Sequence, residues 1–164
     1  MKVFETSDWL SIISILVDIL SILLGGWIAY WVANTIQSAI NKEEKLKDYF
    51  ASEIIGLKDE FQRIIDEVKY GHPRPRELKA KINSLSNKST SIMQSLNSKY
   101  EIEVEIANLL LNFSEKVMDS NEFVTNYRTN NAVTFSANVK SQVELLEREK
   151  VKLYNDLLLH LYEK

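Results

Sequence analysis

Three features of the 164-residue sequence predict an all-α chain, with one N-terminal transmembrane helix followed by a cytoplasmic helical bundle. Turn formers are scarce: four Gly and two Pro, beside abundant Leu, Ile, Glu and Lys, favour long helices over a turn-rich β fold. Residues Trp9 to Ala33 form an apolar run of 25 residues whose single charge is Asp18. Beyond it, apolar residues recur at helical spacing to the end of the chain. The expected domains are residues 1–8 as a short extracytoplasmic N-terminus, 9–35 as the transmembrane helix and 36–164 as the bundle.

At 1.5 Å per residue the apolar run would extend roughly 37 Å, enough for a hydrocarbon core of about 30 Å with some tilt. Trp9 at one end and Trp27, Tyr30 and Trp31 near the other suit the headgroup level. A cleaved signal peptide fits poorly, because the run is too long and no small-residue cleavage site closes it. Lys2 alone precedes the run, whereas Lys42, Lys45 and Lys47 follow it. That bias predicts a single-pass plasma-membrane protein, N-terminus out, with the lipid bilayer as a partner.

Within the run, Ser11, Ser14, Asp18, Ser21 and Gly25 are spaced 3, 4, 3 and 4, which puts small and polar residues on one helix face. Three readings of that stripe stand open. It is a seam for self-association, a pore whose Asp18 ring selects cations, or a charge-paired contact with another protein's basic helix. The first two share a homo-oligomer. Ile28 and Val32 continue the spacing, as an aliphatic gate in the pore reading or as lipid-facing residues otherwise.

Phe50, Ile54, Leu57, Phe61, Ile64, Ile65 and Val68 extend helical spacing beyond the run, interrupted at most near Gly56. The break at Tyr70–Pro75 ends that helix, and Pro75 suits the first turn of the next, whose stripe is Leu78, Ile82, Leu85, Ser89, Ile92 and Leu96. Tyr100–Ile106 alternates like a strand, but a lone strand has no partner, so it is read as the start of a helix carrying Ile102, Ile106, Leu109, Leu110, Phe113 and Val117. Residues 119–131 form a turn or an extension of that helix. A last helix is expected from about Ala132, with Val139, Val143, Leu146, Leu153, Leu157 and Leu161 inward.

Composition excludes several chemistries. The chain has no Cys, so disulfides, thiolate nucleophiles and Cys-ligated metals are out. Its two His, His72 and His160, lie far apart, and His160 sits among leucines as a packing residue. Glu101, Glu103 and Glu105 would fan around a helix instead of converging. No enzyme, metal site or cofactor is expected. The net charge of −3 gives no bulk field for DNA.

Lys69, Arg74, Arg76, Lys79 and Lys81, with His72 and Tyr70, nevertheless cluster against one acid, Glu77. Arg forks suit phosphate, an aromatic ring can stack on a base, and a helix N-terminus favours anions. The cluster is therefore a candidate site for an anionic ligand, a nucleotide or a short single-stranded oligonucleotide, against the alternative of a solvated basic loop. Tyr127 and Arg128 form a smaller candidate of the same kind.

A short outward N-terminus, a polar-striped membrane helix and a compact helical bundle together resemble the small single-pass effectors of bacterial anti-phage systems, as in the channel subunit of the Hailong system. The resemblance implies a homotetrameric ion channel. It implies too that nucleotide oligomers made by a partner nucleotidyltransferase hold the channel closed, and that Ser11, Ser14, Asp18 and Ser21 line the pore. The alternative from another class is a membrane-anchored scaffold whose bundle recruits a cytosolic protein.

Overall fold

The computed structural model describes residues 6–102 and 105–163, with side chains described from Leu20 onward. All regular structure in these residues is helical: α1 (Thr6–Tyr70), α2 (Pro75–Tyr100), α3 (Ile106–Met118), α4 (Asn121–Tyr127) and α5 (Ala137–Glu163). Two compact units divide the chain, Met1–Leu46 and Lys47–Lys164.

In the first unit the structure corrects the expected fold class. Residues 9–35 lie within α1, but among the described residues no helix is long and apolar enough to cross a membrane. From Leu20 onward the apolar residues are interleaved with Ser21, Gly25 and Gly26, and then diluted by Asn34, Thr35, Gln37, Ser38 and Asn41. The expected transmembrane helix is therefore not supported, nor is the single-pass membrane location with its outward N-terminus, and a membrane channel conflicts with this finding. Ser11, Ser14 and Asp18 lie outside the described side chains. Ser21, Gly25, Ile28 and Val32 are exposed.

In the second unit the 47–70 part of α1 buries Phe50, Ile54, Leu57, Phe61, Ile64, Ile65 and Val68, the 3-and-4 stripe read from the sequence. Gly56 does not break the helix. Gly71 ends it, and a Cβ there would meet the Glu67 carbonyl oxygen at 2.8 Å. Arg74 is extended (φ −81°, ψ 132°), as the residue before a proline must be, and Pro75 opens α2.

The structure differs from the expected elements in two places. α2 closes at Glu101, which adopts a left-handed conformation (φ 54°) and donates its N–H to the Asn97 carbonyl. The backbone reversal there stops the alternating stretch from beginning α3, although Ile102 is still buried. The last helix starts at Ala137 instead of 132, because residues 131–136 form an irregular segment held by contacts elsewhere in the unit. That segment buries Val133 and Phe135 and anchors the Val133 N–H on the Pro73 carbonyl at 3.0 Å. Between them α4 is capped by Ser120, whose Oγ accepts the Phe123 N–H.

α3 packs against α5 and α2, with Phe61 and Phe113 edge to face at the centre, centroids 5.0 Å apart. Both rings are fully buried. Phe61→Ala is expected to cost about 3–5 kcal/mol. Urea unfolding of the variant, with an unchanged slope and a lower midpoint, checks this.

Candidate functional site

The basic segment does not act as one cluster. Lys69 turns inward, 11% exposed, with Nζ 2.8 Å from Glu147 and 3.8 Å from Glu144. Lys81 pairs with Glu67 across α1 and α2. Both of these predicted ligands therefore have carboxylate partners. Tyr70 is exposed, and the Lys69 ammonium lies 5.2 Å from its ring centroid. His72 Nδ1 meets Thr134 Oγ1 at 2.9 Å.

The remaining cations meet the smaller candidate. The Arg76 guanidinium donates to the Arg128 carbonyl at 2.9 Å, and Lys79 Nζ lies 5.2 Å over the Tyr127 ring. Arg128 is the C-cap of α4. Two residues on, Asn130 takes a left-handed conformation (φ 56°), and its Oδ1 accepts the Arg76 N–H at 3.1 Å. Asn130 thus caps α2 from a distant part of the chain, in place of Arg74, whose side chain makes no cap bond. One surface results, carrying Arg74, Arg76, Lys79 and Arg128, with Glu77 3.7 Å from Arg74.

How that surface can hold an anion follows from the α2 N-terminus. Pro75 has no N–H, Asn130 takes that of Arg76, and Leu78 donates to the Arg74 carbonyl. The free helix amides expected to help an anion are mostly taken. Recognition falls to the guanidinium forks and the lysine, a pattern suited to phosphate oxygens.

The sequence reading missed a buried polar network between α1 and α5. Lys150, 1% exposed, donates to Gln62 Oε1 and lies 5.8 Å over the Phe61 ring. The Gln62 amide donates to Glu147 at 2.6 Å, and Glu147 accepts from Lys69. Burial holds the Lys150 ammonium below the usual lysine range, opposed by the nearby Glu147 charge. The hydrogen bond from Lys69 holds Glu147 below the usual carboxylate range, and the same bond raises Lys69. The signal was register: stepping Val139, Val143, Lys150, Tyr154, Leu157 and Leu161 puts lysine and tyrosine inward. Leu146 and Leu153, expected inward, are only half-buried.

His160 is exposed, so it is not the packing residue expected. Glu101 and Glu105 are exposed, and Glu103 lies outside the described residues. Among the described residues no group of three or more His, Cys, Asp or Glu could hold a metal ion. Comparison with protein-family models, curated proteins and solved structures finds no match for the chain.

A carboxylate with a depressed folded pKa adds stability above its unfolded value, and that stability is lost as pH falls through the folded one. Glu147→Gln is therefore expected to cost about 2 kcal/mol at neutral pH, the scale of a hydrogen bond to a charged group. Its deficit against the native protein should shrink as pH falls through the acidic range. Urea unfolding at pH 7 and pH 3 measures both.

Proposed function

We propose that the chain is a homo-oligomeric binding protein, acting by recognition and not by catalysis. Its bundle would take a phosphate-bearing ligand of nucleotide or short single-stranded oligonucleotide type. The observation that carries this reading is the Arg76–Arg128 contact, which brings two basic candidates far apart in sequence onto one exposed surface. Forked donors, a lysine beside a tyrosine ring and one weakly paired acid suit phosphates flanked by a base.

The experiment is fluorescence anisotropy with a labelled, 5′-phosphorylated deoxyadenosine trimer, with inorganic phosphate as competitor. With about three phosphate contacts, affinity should fall roughly tenfold to twentyfold between 50 and 200 mM salt. Arg74→Glu with Arg128→Glu should weaken binding at least tenfold while far-ultraviolet circular dichroism stays unchanged. Binding that ignores both salt and the double variant removes the site.

Self-association is supported by the first unit. Leu20, Ile22, Leu23, Leu24, Trp27 and Ile28 are exposed, and a concentration of bare apolar side chains of this kind marks an interaction surface. Beyond their own stretch of helix, Gly25 and Gly26 have no described atom within 4 Å of where a Cβ would stand, so packing among the described residues does not account for two mid-helix glycines. A second copy approaching the Gly25, Ile28 and Val32 face accounts for both. Ile28→Asp with Val32→Asp should lower the sedimentation mass toward the monomer value. An unchanged mass would place the contact elsewhere.

A further inference from the structure

Ser89 sits in the inward stripe of α2 among Leu78, Ile82, Leu85, Leu96 and Tyr100, where helical register favours a large apolar side chain. It is 2% exposed, and among the described residues its Oγ has no hydrogen-bond partner. Most buried hydroxyls are bonded, because leaving one unmade costs stability. Thr90, one residue on, obeys that rule by donating to the Ser86 carbonyl at 2.9 Å. Ser89 does not, and a serine at a leucine-sized position also leaves room.

The room opens as a pocket of about 310 Å³. Ser89, Met93, Gln94 and Asn97 of α2 line it, with Ile102 of the following link and Ala107 of α3. Among the described residues none that lines it is charged, in contrast to the groove between α1 and α2, where Lys81 and Lys88 pair with Glu67 and Glu60. A charged ligand would lose its hydration here without gaining a counter-charge. The volume lies at the small end for ligand pockets, about twice that of an apolar cavity that takes up benzene. Met93 supplies an adaptable wall, and the Gln94 and Asn97 amides supply polar groups for a second contact.

We infer that this pocket binds a small neutral molecule, an apolar one- or two-ring body bearing a single group that hydrogen-bonds Ser89 Oγ. The site is separate from the basic surface and independent of what binds there.

Indole, a neutral bicycle with one N–H, is the probe, and indene is its counterpart without the donor. Both are titrated into the full chain and followed by amide and methyl chemical shifts. Indole is expected to give saturable shifts at Ser89, Ile102 and Ala107, with affinity in about the millimolar range for so few atoms. Indene should bind the native protein about fivefold more weakly, the scale of one neutral hydrogen bond. Ser89→Ala should bring indole down to the indene level and leave indene unchanged. Ala107→Phe, at an exposed position of α3, should fill the pocket and abolish both titrations without touching the core. Absence of saturable shifts at these residues in the native protein overturns the inference. So does an indole affinity that Ser89→Ala leaves unchanged.

Discussion

The part-buried polar chain Lys150–Gln62–Glu147–Lys69, with the Lys150 side chain at its buried end, governs how the second unit goes together. Apolar faces tolerate sliding, since one leucine can replace another in the same groove. A buried ammonium and a part-buried carboxylate tolerate it far less, because each displaced group is left without its partner. The network therefore fixes the register of α5 against the 47–70 part of α1. Fixing α5 also fixes where the irregular segment 131–136 must enter, and that segment carries the Val133 bond to Pro73. Through that bond a core constraint reaches the surface where Arg76 and Arg128 meet.

That surface is assembled without any local motif. Arg74 cannot cap α2 with its side chain, so Asn130, held in a left-handed turn after α4, supplies the acceptor instead. The same turn aims the Arg128 carbonyl at the Arg76 guanidinium. A guanidinium bonded to a carbonyl keeps its positive charge and loses rotamer freedom, which lowers the entropy cost of clamping an anion. Lys69 and Lys81 do opposite work, spending their charge on Glu147 and Glu67 to hold helices together.

Much of the bundle was legible in the sequence, and the failures share one cause. The stripes of α1 and α2, the break at Tyr70–Pro75 and the Pro75 helix start all follow from local rules of spacing and proline geometry. The start of α5 and the fate of Tyr100–Ile106 depend on backbone at Glu101 and on Val133 reaching Pro73 across the fold, neither of which periodicity encodes. The site shows the same division. The cluster 69–81 was visible as composition, but its split into core-pairing and surface cations needed Glu67 and Glu147 in space. Lys150 was hidden because hydrophobic counting skips a lysine that stands in register.

The apolar stretch of the first unit marks where averaging over a run misleads. Twenty-five residues with one charge read as a single membrane-crossing element, yet from Leu20 onward small and polar residues recur often enough that no helix among the described residues meets that demand. What remains is a helix with Trp27, Tyr30 and Trp31 exposed and two adjacent glycines that no described residue outside their own helix turn packs against. Each glycine costs a helix interior up to about 1 kcal/mol relative to alanine. A lone helix gains nothing in return, whereas two helices crossing at Gly25 can bring their backbones close and cover the flanking Ile28 and Val32. Under the proposed self-association, contact between copies would offset the local cost and give the apolar surface and the glycine pair one explanation instead of two.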